Sequence, residues 1–148
     1  QNAKSSLLKL YSSDVGLLTY QYGNSLRAKI LFGDEKVNLG GVFENFVAQE
    51  LHAHGYPSYF YNNHKLGELD FVIEHNGSVL PIEVKSGKDY YTHSALDKAT
   101  YNEEYQVKES YVFANCNIEE KDKIIYYPIY MCAFISDEIE YPILTLDI

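Results

Sequence analysis

Asp70, Glu83 and Lys85 stand on either side of an Asn76-Gly77 step, a spacing that can bring two carboxylates and an ammonium group onto one surface. Asn-Gly is favoured in two-residue type I′ hairpin turns, and such a turn fixes the register of the strands it joins. With His75 facing Ser78, counting outward sets Val72 against Pro81, Asp70 against Glu83 and Glu68 against Lys85. Strand side chains alternate, so Leu69, Phe71 and Ile73 line up with Val84, Ile82 and Leu80 as an apolar wall on the opposite face. In this register Asp70 and Glu83 are a non-hydrogen-bonded pair, whose Cα atoms approach to roughly 4.5 Å. Carboxylates that close repel, and one pKa rises unless a cation joins them. A divalent ion resolves the conflict, and all-oxygen ligation is the preference of Mg²⁺ or Mn²⁺. Lys85 points to the same face and can place an attacking water or steady a pentavalent phosphate. The plainer alternative is a solvated sheet face in which Glu68 and Lys85 form an ordinary ion pair.

These residues need elements to hold them. The clearest helix covers residues 42–54: Val42, Phe43, Phe46, Val47 and Leu51 recur at i, i+3, i+4 spacing, and Gly55 and Pro57 stop it. Glu44 lies outside that stripe near the helix start, a place where the helix dipole favours an acid. Upstream, residues 9–14 read as a short strand running into a cap. Asp14 then begins a helix over residues 15–20, ended by Gly23-Asn24. Residues 24–36 have no clear pattern. An aromatic strand over 58–61, a polar turn at Asn62-Asn63 and hairpin strands over 68–74 and 78–86 follow. A helix over 93–106 and strands over 110–114 and 124–127 come next, and Pro128 starts a short helix through Met131 and Phe134. His52 and His54, two apart on a helix, face different ways and cannot share a metal. His64 and His93 read as cleft-flanking or as surface histidines. Lys88, Lys98 and Tyr101 read as phosphate contacts or as solvated side chains.

The length of 148 residues fits one domain, residues 1–148, with the chemistry in a core of about 40–130. Twelve Lys and Arg against 21 Asp and Glu give a net charge of −9, which argues against a domain that grips nucleic acid by overall charge. Fifteen tyrosines and no Trp suit exposed sheet faces and interfaces as well as cores. Cys116 and Cys132 lack CxxC spacing or a matching His pair, which removes zinc and redox motifs and leaves two buried reduced thiols as the expectation. No membrane-length apolar run or signal-peptide pattern occurs, so a cytoplasmic location with no membrane partner is expected. Gln1 in place of an initiator Met suggests a fragment or a processed chain.

Leu69-Asp70, followed across the hairpin by Glu83-Val84-Lys85, resembles the Asp…Glu-x-Lys signature of the PD-(D/E)XK nuclease superfamily. The resemblance implies an α/β, restriction-endonuclease-like fold: a mixed central sheet flanked by helices in αβββαβ order. It implies a Mg²⁺ (or Mn²⁺) site from Asp70, Glu83 and the Val84 carbonyl, with Glu44 of the upstream helix adding a direct or water-mediated contact. Lys85 would help place the nucleophile, and DNA would be the substrate. Leu69 stands where the superfamily name has Pro.

A second resemblance spans more of the chain. Lys9-Leu10-Tyr11-Ser12-Ser13-Asp14-Val15-Gly16-Leu17-Leu18, Phe43-Glu44-Asn45-Phe46-Val47-Ala48-Gln49-Glu50-Leu51 and Pro81-Ile82-Glu83-Val84-Lys85-Ser86-Gly87 look like an uncharacterised C-terminal domain family. That family sits behind AAA-type ATP-binding domains in bacterial and archaeal predicted ATPases. The resemblance implies a neighbouring ATPase domain as partner. No ATP site is expected in this chain, because Ser86-Gly87-Lys88 lacks the upstream glycine and following hydroxyl of a P-loop. The alternative to a nuclease is a catalytically inactive nuclease-fold module that serves the ATPase by binding a protein partner.

Overall fold

The computed structural model describes residues 9–33, 38–57, 59–63, 65 and 67–137. His64 and Ser58 lie outside the described residues. Asp14 opens the first helix as its position predicts: Oδ1 accepts the Leu17 N–H at 2.7 Å and caps α1 (Val15–Gln21). Gly23-Asn24 ends α1 but starts another helix, α2 (Gly23–Leu31), where the sequence carries no clear pattern. Its flank shows why, since Leu31 and Phe32 are both more than four-fifths exposed and no apolar stripe is called for. The strand expected over residues 9–14 is not formed. Both backbone groups of Ser12 are taken by the Asn45 side chain, at 2.6 and 3.1 Å, so they are not available to a sheet.

The main helix, α3 (Gly40–Ala53), buries Val47, Ala48 and Leu51 against the sheet. It ends in a Schellman motif: Gly55 N–H donates to the His52 carbonyl at 3.0 Å and Tyr56 N–H to that of Leu51 at 2.9 Å, with Gly55 at φ +80°.

Among the described residues six strands follow: β1 (Tyr59–Asn63), β2 (Gly67–His75), β3 (Ser78–Lys85), β4 (Ser110–Ala114), β5 (Glu119–Lys121) and β6 (Ile124–Pro128). They lie in the order β1-β2-β3-β4-β6-β5. The β1-β2-β3 and β6-β5 pairs are antiparallel, and β3-β4 and β4-β6 are parallel. β4 is buried along its whole length, as a central parallel strand covered on both faces must be. Helix α4 (Ser94–Thr100) separates β3 from β4, so α3 to β4 runs αβββαβ. The fold is the expected one: α/β, with a mixed central sheet flanked by helices. One core layer, under α3, holds Phe71, Ile73, Ile82, Phe113 and Cys132. The other, under α4, holds Leu69, Leu96, Val112 and Tyr126.

Four details differ from the sequence reading. Asn62 and Asn63 belong to β1, opposite Glu68 and Gly67, rather than to a turn. The helix expected over 93–106 stops at Thr100, whose hydroxyl turns inward to the Leu96 carbonyl and the Ser110 hydroxyl, both at 2.7 Å. Asn102 then adopts extended backbone and caps a 3₁₀ turn, Glu103–Tyr105, by accepting from Glu104 N–H at 3.0 Å. Strand β5, Glu119-Glu120-Lys121, has no apolar alternation to reveal it, and a turn with Asp122 at φ 54° folds it onto β6. Cys132 is buried as expected, but Cys116 is only half-buried, and both are free thiols. Among the described residues no helix is long and apolar enough to cross a membrane.

Gly55 has open space where a Cβ would lie, so any cost of Gly55→Ala comes from its positive φ alone. Urea unfolding should show a loss of about 1 kcal/mol for Gly55→Ala. Gly87→Ala, also in open space but without a positive φ, should stay within about 0.5 kcal/mol of the parent.

Candidate functional site

The hairpin pairs as its turn predicts from His75 opposite Ser78 to Phe71 opposite Ile82. Beyond that point the simple register fails. On the other side of β2, Tyr59 faces Val72 while Tyr61 faces Leu69, so β2 spends three steps where β1 spends two. This is a β-bulge of one extra residue, and a one-residue insertion inverts the facing of everything before it. Leu69 therefore joins the α4-side core with Val72, instead of continuing the Phe71 and Ile73 wall. Asp70 sits in the bulge. Its Oδ2 accepts the Val84 N–H at 2.9 Å, so a side-chain carboxylate stands in a ladder position of the sheet. The expected face-to-face pairing of Asp70 with Glu83 is replaced by this contact to the next residue.

Four carboxylates gather around that point. Lys9 Nζ, from the segment before α1, lies 2.7 Å from Glu68 Oε1, 3.3 Å from Asp70 Oδ1 and 3.4 Å from Glu44 Oε2. Tyr11 donates its hydroxyl to the same Glu44 oxygen at 3.5 Å, and its ring packs 5.5 Å from that of Phe71. Glu83 projects from β3 and is only 8% exposed. Its Oε1 lies 2.7 Å from Lys85 Nζ, and its buried Oε2 has no hydrogen-bond partner among the described residues. The expected Glu68–Lys85 ion pair is not the one formed: Glu68 pairs with Lys9, and Lys85 with Glu83.

The electrostatics follow from this crowding. Burial, and then the charge of Asp70, push the Glu83 carboxyl up to about 7, against the pull of Lys85 and Lys9. Glu44 is raised for the same two reasons, again with Lys9 opposing. Burial lowers the Lys9 ammonium, but its hydrogen bond to Glu68 and the charges of Asp70 and Glu44 win, and it titrates above its ordinary range. Burial leads in raising the Tyr11 hydroxyl, to about 12.

All the donors here are oxygens, the set that Mg²⁺ and Mn²⁺ prefer, and the orphaned Glu83 Oε2 is an acceptor with nothing to accept from. The residues thus fit a hard divalent cation in chemistry. Among the described residues, however, no three His, Cys, Asp or Glu form a group that could hold a metal ion.

Asp70, Glu83, Lys85, Val84 and Glu44, all expected from sequence, are brought to this one region. His93 is not a cleft histidine: it is buried, with Nε2 2.7 Å from the Tyr126 hydroxyl. Asp97 Oδ1 lies 3.0 Å from its other nitrogen but outside hydrogen-bond geometry. Lys88 and Lys98 are exposed, and Tyr101 is half exposed. The residues that sequence reasoning missed are Lys9, Tyr11 and Asn45. Asn45, 2% exposed, lies on the inner side of α3 beside the apolar stripe, and a polar residue in that place is the signal that could have found it. Lys9 had no signal beyond its place in the first of the three quoted motifs.

A family model described as a domain of unknown function (DUF4143) matches residues 39–132. The match contains the motifs around Glu44 and Glu83, whereas residues 9–18 precede it. No curated protein and no solved structure matches the chain.

The raised Glu83 carboxyl sets a pH dependence of stability. Its folded value of about 7 exceeds the ordinary 4.5, so the folded chain holds this proton more tightly than the unfolded chain does. The stability this gives is complete below about 4.5 and is lost as pH rises through about 7. Glu83→Gln mimics the protonated acid at every pH. Urea unfolding should show wild type losing on the order of 3 kcal/mol relative to Glu83→Gln between about pH 4 and pH 8. Parallel losses in the two proteins would contradict the assignment to Glu83.

Proposed function

We propose that this chain, which belongs to the DUF4143 family of domains of unknown function, carries a Mg²⁺-dependent phosphodiester-cleaving site of the PD-(D/E)XK type. DNA is its substrate, and it works beside an AAA-type ATPase domain. The observation that carries this reading is Glu83: a residue only 8% exposed, with one carboxylate oxygen on Lys85 and the other without a hydrogen-bond partner among the described residues. Burying an acid in that state costs free energy that a purely structural role leaves unexplained.

Asp70, Glu83 and the Val84 carbonyl would hold the ion, with Glu44 contributing directly or through water. Bound there, the ion would lower the pKa of a water and stabilise charge on the departing oxygen. The chain's own residues do the rest. Lys85, two residues beyond Glu83 on the same strand, is anchored on Glu83 Oε1 at 2.7 Å and would orient a nucleophilic water. The Val84 N–H bond fixes the Asp70 carboxylate so that its other oxygen faces the cluster. Sheet burial on both sides of Glu83 limits access of bulk water. The net charge of −9 means that substrate contact rests on local groups rather than on an overall attraction.

A second reading has an observation of its own. An apolar groove of about 330 Å³ lies on the α4 side of the sheet, lined by Tyr61, Leu69, Val72, Pro81, Tyr105 and Val107. A non-cleaving module that docks a protein partner, with the Lys9-filled cluster serving as structure, would use such a surface.

Two variants separate the readings. Calorimetric titration of Mn²⁺ should give binding to wild type that disappears in Asp70→Asn. On duplex, single-stranded and branched DNA, Lys85→Ala should lower a Mg²⁺-dependent cleavage rate by about a hundredfold or more while leaving the thermal unfolding midpoint close to wild type. Undiminished cleavage in Lys85→Ala would sink the assigned mechanism, and absence of both metal binding and cleavage would favour the docking module.

A further inference from the structure

The segment over residues 9–14 has no regular secondary structure, yet it is fastened at several points along α3. Asn45 clamps Ser12 through both of its backbone groups, at 2.6 and 3.1 Å. One helical turn on, Gln49 Oε1 accepts the Val15 N–H at 3.0 Å. The Tyr11 ring packs against Phe71, and its hydroxyl reaches Glu44. This fastening delivers one charged group, the Lys9 ammonium, to Glu44, Glu68 and Asp70 at once. Two of those three are proposed metal contacts.

A cation is what the crowded carboxylates require, and here a side chain supplies it. A lysine and a divalent ion cannot share the same oxygens, because like charges that close in a partly buried site repel strongly. We propose that residues 9–14 form a strap whose Lys9 is a built-in substitute cation, and that divalent metal enters the site only when the strap lifts. This inference rests on the metal-site reading above and adds its regulation: the site is self-inhibited by a segment outside the span that the family model matches.

The strap makes metal affinity conditional. Apparent affinity falls by the fraction of molecules that are open, so a strap open in about a tenth of them weakens binding about tenfold. Any event that draws the segment away from α3, whether tension along the chain or a partner that takes Asn45, would load the site. Because Ser12 is tied to Asn45, loading would also leave a backbone signature at Ser12.

The test compares Mn²⁺ affinity by calorimetry in wild type, Lys9→Met, Lys9→Arg and Asn45→Ala, each first checked for a cooperative thermal transition. Lys9→Met keeps length and removes charge, and it is expected to bind Mn²⁺ at least about tenfold more tightly than wild type. Lys9→Arg keeps the charge and should bind as weakly as wild type. Asn45→Ala, which loosens the strap without touching a carboxylate, should fall between. In wild type, saturating Mg²⁺ should speed hydrogen exchange at the Ser12 amide. Equal, measurable affinity in wild type and Lys9→Met would overturn the strap while leaving the metal site standing. No binding in any of the four proteins would overturn the metal site and the strap together.

Discussion

The carboxylate of Asp70 stands in the β2–β3 ladder where a backbone carbonyl would ordinarily accept the Val84 N–H, and the charge distribution of the molecule follows from that substitution. A continuous ladder would keep the two faces of the sheet apart. The bulge in β2 interrupts it, so side chains held by α3, by β2 and by β3 converge on one spot. Glu44 reaches it from the helix, Glu68 and Asp70 from the bulged strand, and Glu83 with Lys85 from the strand beyond. Without the extra residue Leu69 would pack beside Phe71 and the α4-side core would lose it.

Charge at this spot does not balance. Among the described residues, four carboxylates, Glu44, Glu68, Asp70 and Glu83, meet two ammonium groups, Lys9 and Lys85, which leaves two negative charges when every acid is ionised. The deficit falls on the most buried member, and Glu83 meets it by holding a proton toward neutral pH. The size of the imbalance equals the charge of one divalent ion. Protonation is one way to reach local neutrality; the proposed ion would be another, and the two would compete for the same oxygens.

The sequence was informative wherever structure is local. Asn76-Gly77 set the hairpin, Asp14 capped its helix, Gly55 closed α3, and the apolar runs at β4 and β6 fell where periodicity put them. That Asp70, Glu83, Val84, Lys85 and Glu44 lie near one another was likewise legible, from the hairpin count and from motif resemblance. What was not legible was non-local. Nothing in residues 67–75 announces a bulge, because the pattern Leu69, Phe71, Ile73 alternates perfectly well as a regular strand; the extra residue shows only against the neighbouring β1. Nor does Lys9 announce that it will sit 61 residues away in sequence from Asp70, since its position depends on a buried amide in α3. Strand β5 needs its partner β6 to exist at all.

The two rims of the sheet are unlike. β5 closes one with Glu119, Glu120 and Lys121, three charged residues in a strand too short to template another chain. β1 forms the opposite rim with a five-residue stretch that is mostly aromatic and amide, and Tyr59 there is 67% exposed. Among the described residues no further strand lies outside β1, and a rim of this kind invites a neighbouring molecule to add a strand. Self-association on storage or overexpression would therefore begin at β1, and a charged or proline-bearing β1 rim would give a better-behaved sample without disturbing the carboxylates.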